Sequence, residues 1–326
     1  MPLANPPPLA RGGQVITISD FGRKSTIILN FSFLIFHLGF MGKIELQNIT
    51  YVYGKGAPYE IKALDDVSLT FEEGKIIGLI GHTGSGKSTL VQLLNGLIKP
   101  DSGKVLLDGK DIWQEPKKIR DVRFKVGLVM QYPEYQLFDE TVWKDISFGP
   151  KNMGMSEDEI KKAVVEAASF AGLKEKHLYK SPFDLSGGQK RRAALAGVIA
   201  MGPSVLVLDE PAAGLDPGAR RKILGRIKDY QRASKTTVII VSHSMEDMAM
   251  YCDSVVVMNH GKVTMTGTPA EVFSRSDELI AQGLDVPAIT KVAKALRDEG
   301  VDIGLDIYTV NFAAQRLLSG GDSNEG

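Results

Sequence analysis

A short apolar run, Ile76–Ile80, leads into Gly81-His82-Thr83-Gly84-Ser85-Gly86-Lys87-Ser88, and a helical pattern over Lys87–Leu97, with Leu90, Leu93, Leu94 and Leu97 on one stripe, comes directly after it. This strand–loop–helix unit constrains the chain more than any other feature. A strand that is apolar without alternation is buried on both faces, which requires a parallel sheet covered by helices. The loop matches the phosphate-binding pattern G-x-x-x-x-G-K-S, in the strand-to-helix context that gives the pattern meaning. Its glycines let backbone N–H groups turn inward around phosphate oxygens, and the helix N-terminus adds partial positive charge. Lys87 is placed to bridge the β- and γ-phosphates of a nucleotide, Ser88 to hold Mg²⁺, and Thr89 to offer a hydroxyl to the α-phosphate.

The rest of the chain has the alternation of an α/β protein. Gly42–Leu46 looks like a strand start, and Val67, Leu69 and Phe71 alternate with polar residues as in a half-exposed strand. Lys104–Leu107 followed by Asp108-Gly109 predicts a strand entering a hairpin, and Val126–Met130 a buried strand. Helical patterns then cover Thr141–Pro150 and Ser156–Ala171, where Ser156 and Glu159 form a capping box. Strands return at Val205–Leu208, Val238–Val241 and Val255–Met258, with helices over Pro217–Arg232 and Met245–Tyr251. The expected fold is a parallel-sheet α/β core with an antiparallel part near its start and an inserted helical lobe of roughly Gln136–Lys190. After Gly267 the pattern is helical again, with Pro269 at a helix start and apolar residues at helical spacing over Pro287–Glu299.

The second chemical landmark is Val205-Leu206-Val207-Leu208-Asp209-Glu210-Pro211, an apolar strand ending in two carboxylates. Beside a phosphate loop, Asp209 fits the magnesium-side aspartate, and Glu210 can polarise a water in line with the γ-phosphate. About twenty residues upstream lies Leu185-Ser186-Gly187-Gly188-Gln189, followed by a helix expected over Lys190–Met201. With the phosphate loop before it and Asp209-Glu210 after it, the pentapeptide resembles the signature of ATP-binding-cassette (ABC) ATPases. That resemblance implies that Ser186 and Gly188 contact the ATP held by a partner subunit, so that one chain alone does not complete a site. It further implies a D-loop at Ala213-Gly214-Leu215-Asp216 and a switch histidine at His243. It makes Gln131 the Q-loop glutamine that senses Mg²⁺ and the attacking water; Gln136 does not directly follow the strand and is a poorer match. Tyr53 is implied as the aromatic stacked on adenine, with Tyr51 competing for the role. Ala212 and Ser242 depart from the commoner Ser/Thr and Thr of the family, and neither change removes a catalytic group.

The resemblance runs from Ile44 to about Phe273. Gly81-His82-Thr83-Gly84, Gln131–Phe138, Phe148–Asn152 and Gly283-Leu284-Asp285-Val286-Pro287 are similar to the ATPases of energy-coupling factor (ECF) transporters, and His82-Thr83 favours the second of their two paralogous ATPase subunits. The implied fold is a P-loop ABC cassette with a RecA-like core over residues 41–273 and a C-terminal helical extension over 274–326, whose last residues, Gly320–Gly326, should be disordered. The implied function is ATP hydrolysis at the cytoplasmic face of the cell membrane, powering uptake of vitamins or transition-metal ions. The implied partners are a paralogous ATPase, a transmembrane coupling protein and a membrane substrate-binding protein.

Composition narrows the alternatives. Lys+Arg and Asp+Glu are each 39, so no basic excess points to nucleic acid. One cysteine and five histidines provide neither a disulfide framework nor zinc-ligand spacing. The Pro-rich start, Pro2–Pro8, should be unstructured, and Ile27–Phe40, at 14 residues, falls short of the ~20 needed to span a bilayer. Met41 is expected to be the biological start, with residues 1–40 a non-native extension; a weak membrane-surface anchor is the alternative. Two other functions compete with transport. A soluble, non-transport ABC ATPase of the translation or DNA-repair type would carry two cassettes or a long coiled coil. A small-molecule kinase would leave Leu185–Gln189 and His243 unexplained.

Overall fold

The computed structural model describes residues 42–301, 304 and 306–320; the expectations for residues 1–41 and for the last six residues lie outside it. Among the described residues ten strands form two sheets. The four-stranded sheet has the order β2-β1-β4-β5, from β1 (Ile44–Tyr53), β2 (Ile61–Phe71), β4 (Ser102–Leu107) and β5 (Lys110–Asp111), and all its pairs are antiparallel. The six-stranded sheet has the order β10-β9-β3-β8-β7-β6, from β3 (Ile76–Gly81), β6 (Val126–Val129), β7 (Val205–Asp209), β8 (Thr237–Val241), β9 (Ser254–Asn259) and β10 (Lys262–Gly267). Its strands run parallel except β10, which turns back antiparallel on β9.

Burial follows the sequence pattern. β3 and β8 are buried at every residue, whereas in β2 Val67, Leu69 and Phe71 point inward and Ser68 and Thr70 outward. One hydrophobic core takes Ile44, Leu46 and Phe71 from the antiparallel sheet, Ile77, Leu79, Val207 and Ile239 from the parallel sheet, and Leu90, Leu93 and Leu94 from the helix between them. The phosphate loop is therefore bolted to both sheets.

The helices in chain order are α1 (Lys87–Leu94), α2 (Ile119–Lys125), α3 (Val142–Asn152), α4 (Glu157–Ala171), α5 (Glu175–Leu178), α6 (Gly187–Ile199), α7 (Pro217–Ser234), α8 (Met245–Tyr251), α9 (Pro269–Ser274), α10 (Ser276–Ala281), α11 (Ala288–Asp298) and α12 (Val310–Gly320). Between β6 and β7 the described elements are all helical, and α4 opens with the expected Ser156–Glu159 capping box. In the C-terminal segment α11 and α12 share a small core of Ala293, Ile307 and Ala313, against which Ile289, Leu296 and Phe312 pack.

Two helix boundaries differ from expectation by three residues. α1 stops at Leu94 rather than Leu97: Asn95 turns its side-chain amide onto the carbonyl of Val126, Gly96 takes a left-handed φ of 67°, and Leu97 is left exposed. α6 starts at Gly187, three residues earlier than expected, because Ser186 acts as N-cap and its N–H donates to Gln189 Oε1 at 3.0 Å. The signature glycines are thus the first turn of the helix rather than a loop before it. β10 and α2 were not anticipated. β10 buries only Met265 and so lacks a clear apolar pattern.

Candidate functional site

Strand register builds the site. Leu79 of β3 pairs with Val241 of β8, Val241 pairs with Asp209 of β7, and Leu208 of β7 pairs with Val129 of β6. Parallel strands present their loops at one edge, so the phosphate loop after β3, Gln131 after β6, Asp209 and Glu210 at the end of β7 and His243 after β8 arrive together.

The phosphate loop is held from three directions. Its backbone bonds to the β9–β10 turn, where Gly261 N–H donates to Ser85 O at 3.1 Å and the Gly261 carbonyl accepts from Asp65 N–H of β2 at 2.9 Å. His82 places Nε2 2.9 Å from Asn259 Oδ1 and Nδ1 2.7 Å from its neighbour Thr83's carbonyl. Lys87, 6% exposed, folds its ammonium inward to donate to the carbonyls of Gly81 at 2.6 Å and His82 at 2.9 Å. Burial lowers the Lys87 pKa, while the Glu210 and Asp209 carboxylates oppose that shift. Thr83, Gly84 and Ser88 are exposed at the mouth of the loop, and Ser85 is fully buried beneath it.

At the end of β7 the chain takes an unusual turn. Glu210 has φ of 50°, a left-handed conformation that costs a non-glycine residue energy and marks a constrained position. Its N–H is tied to Val241 O at 3.0 Å, and its carbonyl accepts from Ala213 N–H at 3.1 Å. Oε1 is buried with no hydrogen-bond partner within the protein. An orphaned carboxylate oxygen of this kind is an acceptor waiting for a donor, which fits a bound water. Burial raises the Glu210 pKa, a backbone hydrogen bond from His243 opposes this, and the Asp209 charge adds to it; Asp209 is raised by its own burial. Partial burial and the Lys87 charge hold the His243 imidazole below its usual value, so the 3.7 Å approach of its Nε2 to Glu210 Oε1 is a neutral contact near pH 7. A cleft of about 400 Å³ opens on this side of Glu210, lined by Ala213, Gly214, Arg220, Ser242 and His243 among others.

Tyr53 is exposed, and its hydroxyl lies 3.3 Å from Thr89 Oγ1 at the start of α1; Tyr51, half-buried, packs on the core, and the two rings meet in a T-shaped contact with centroids 4.9 Å apart. Of the two rings, Tyr53 is the more exposed and has its hydroxyl beside the start of α1. Gln131 is exposed at the head of the loop after β6. Ser186, Gly187 and Gly188 are exposed as well, and a Cβ built on either glycine would meet nothing within 4 Å. Among the described residues no hydrogen bond joins them to residues 81–89.

Residues 64–213 match the ABC transporter family. The chain is 50% identical over 275 residues to an energy-coupling factor transporter ATP-binding protein EcfA2 of Caldanaerobacter subterraneus subsp. tengcongensis, covering 84% of this chain and 96% of that one. It is 52% identical over 276 residues to the protein of the same name from Clostridium tetani, again covering 84% and 96%. The chain belongs to the ECF branch of the ABC transporter ATPases. Solved structures agree on the cassette fold. The cbiO1 protein of Clostridium perfringens, part of an ABC transporter complex, superposes with a TM-score of 0.65 at 39% identity over 73% of this chain and 93% of that one. A dimeric ATP-binding cassette in a post-hydrolysis state, bound to ADP and Pi, superposes at 0.62 with 28% identity over 69% and 98%. This ABC ATPase therefore binds and hydrolyses ATP.

Several residues around the ATPase site carry no sequence motif. Asn259 holds His82, and Arg220 at the start of α7 pairs with Asp247 of α8 at 2.7 Å, tying the segment after Glu210 to the segment after His243. Arg191 and Glu134 form a buried pair between α6 and the turn after Gln131. Standing between Lys190 and Arg192, Arg191 carries no sequence signal that sets it apart from its basic neighbours.

The titration of Glu210 has a consequence for stability. Because its folded pKa is raised, the group costs nothing below its ordinary value of 4.5, costs stability progressively as pH rises from there to the folded value, and carries the full cost above it. Glu210→Gln, free of nucleotide, is expected to melt above the wild type at pH 7–8, with the gap closing as pH falls from the raised folded value towards 4.5. Thermal unfolding of both proteins across that range checks this; a gap independent of pH would refute the assignment of the cost to Glu210.

Proposed function

We propose that this chain is one of two ATPases of an ECF-type importer, acting peripherally at the cytoplasmic face of the cell membrane. The observation that carries the two-ATPase reading is the separation of parts. Lys87, Asp209, Glu210 and His243 gather at one sheet edge, while the signature turn Ser186–Gly188 faces open space. In this reading Ser186 and Gly188 serve the ATP of the partner ATPase, and Lys87 receives a signature in return. The paralogous partner is inferred from the resemblance of His82-Thr83 to one of two ATPase types.

Each residue has its own share of the work. Gly81 to Gly86 offer backbone N–H groups to phosphate oxygens, and Lys87 gives up the Gly81 and His82 carbonyls to take them instead. Tyr53 stacks on the adenine and Thr89 lies against the α-phosphate. Ser88, Asp209 and Gln131 would hold Mg²⁺, which when bound neutralises charge on the transferred phosphoryl group. Glu210 accepts a hydrogen bond from the attacking water and takes its proton, and burial keeps its carboxyl high enough to do so. His243 steadies the γ-phosphate beside it. Closing and opening of the paired cassettes then drives a transmembrane coupling protein and a membrane substrate-binding protein, with vitamins or cobalt or nickel ions as cargo and no nucleic acid involved. Among the described residues no helix is long and apolar enough to cross a membrane, which fits attachment through partners.

Pull-down of the tagged chain from detergent-solubilised membranes, with the co-purifying proteins identified by mass spectrometry, tests the reading. A second ATPase and two integral membrane proteins are expected. Ribosomal or DNA-repair partners, or recovery of the chain alone, would overturn it.

A further inference from the structure

We propose that Arg191 is a positioning residue for ATP hydrolysis, a single guanidinium that holds the Gln131 loop and the Glu210 turn at a fixed separation on the signature helix. This rests on the site reading above and goes one layer beyond it. Arg191 lies in α6 and its side chain is 5% exposed. Nε and Nη2 donate to Glu134 Oε2 at 3.1 Å and Oε1 at 2.9 Å, the bidentate geometry that only arginine provides. Nη1 donates to the carbonyl of Ala213 at 2.5 Å. The guanidinium carbon also sits 6.0 Å from the centre of the Tyr132 ring.

Each contact leads directly to a group that handles the attacking water. Glu134 is the second residue of the short turn Pro133–Gln136, three residues after Gln131, and Tyr132, which caps that turn, has a left-handed φ of 56°. Ala213 donates its N–H to the Glu210 carbonyl at 3.1 Å, so the route from Arg191 to the Glu210 backbone is two hydrogen bonds long. Glu210 is itself held at a left-handed φ, a conformation that persists only where its surroundings impose it. The same side chain is rooted in the helix whose first turn is Ser186–Gly188. Movement of the signature helix is therefore transmitted to both water-orienting residues through one buried ion. Burial acts to raise the Glu134 carboxyl, but the Arg191 hydrogen bonds outweigh it and hold it ionised. Such a pair breaks at high cost if one member is removed, which makes it a stiff link rather than a loose one.

The test uses the full chain with the partners that co-purify with it, measuring steady-state ATPase kinetics and thermal unfolding together. Arg191→Ala strands Glu134 and is prone to unfold, so Arg191→Lys and Glu134→Gln carry the test. A lysine keeps the charge beside Glu134 but cannot also reach Ala213 O. Each is expected to lower kcat about 10-fold while KM for ATP moves less than about 2-fold, because displacement by a fraction of an ångström slows chemistry without removing ground-state binding. The double variant should be no slower than the slower single, the mark of two residues acting as one link. Wild-type kcat in Arg191→Lys, equal losses in kcat and in ATP affinity, or multiplied losses in the double variant would each overturn the inference. Glu210→Gln is measured in parallel. If it turns over ATP normally the site reading has failed; if it is inactive while Arg191→Lys is fast, the positioning role alone has failed.

Discussion

Glu210→Gln should bind ATP with near wild-type affinity yet hydrolyse it ~10²–10³-fold more slowly, within the range that a positioned general base contributes. Gln keeps the volume and a hydrogen-bonding carbonyl, so the left-handed turn and its ties to Val241 and Ala213 survive. What is lost is the proton acceptor whose Oε1 stands buried and unpartnered. Phosphate contacts made by Lys87 and the loop are untouched, and ATP should accumulate on the protein. Steady-state turnover and equilibrium ATP binding separate the two effects, and size-exclusion chromatography with ATP should show a longer-lived paired form. Wild-type turnover would remove Glu210 from its role. Coupled with the stability gain expected at neutral pH, the variant illustrates a residue retained for chemistry at the expense of the fold.

Gly86→Ala is expected to abolish nucleotide binding, while Gly84→Ala in the same loop is tolerated much better. Both glycines have positive φ, 101° and 84°, so both substitutions carry backbone strain on the order of 1–3 kcal/mol. They differ in what the new methyl group meets. At Gly86 it would lie 2.5 Å from the carbonyl oxygen of Ala63 and 2.9 Å from Leu64 Cδ2, both on β2, whereas at Gly84 nothing lies within 4 Å. β2 cannot retreat, because it is paired along its length with β1 and buries Leu64 fully. The loop must move instead, and Gly86 O also accepts the first helical hydrogen bond of α1 from Leu90 N–H at 2.9 Å. Fluorescent-nucleotide titration of the two variants measures the contrast; equal affinities would show that the close approach to β2 does not govern the loop.

Much of this site is legible in the sequence because its parts are local. The strand–loop–helix at Ile76–Leu94, the Asp108-Gly109 hairpin and the Ser156–Glu159 cap each depend on neighbours within a few residues. The order of motifs also carries over, since parallel strands deliver their loops to one edge whatever their pairing. What escapes the sequence is set by partners far along the chain. The end of α1 is decided by a hydrogen bond from the Asn95 side-chain amide to the Val126 carbonyl, and Arg191 finds its partners 57 residues upstream and 22 downstream. Alternation alone puts Tyr51 and Tyr53 on one side of β1, and what separates them, the packing of Tyr51 on the core, comes with bulges in the strand's register that the sequence does not show. The left-handed φ of Glu210 leaves no trace in composition, because the position holds neither the glycine nor the asparagine that such a turn favours.

The pairing of β3 has a consequence for how the molecule comes into being. Its two neighbours are β8 and β9, which end at Val241 and Asn259, and the turn that buttresses Ser85 comes only at Gly261. A ribosome delivers residues 76–88 long before any of these. Until then the apolar strand has no sheet to join, and the closure of such long loops is what slows folding and exposes chains to aggregation. Nascent chains halted before β8 would thus hold the complete phosphate-loop sequence without its conformation. The nucleotide cradle, translated early, should be among the last parts of the cassette to form.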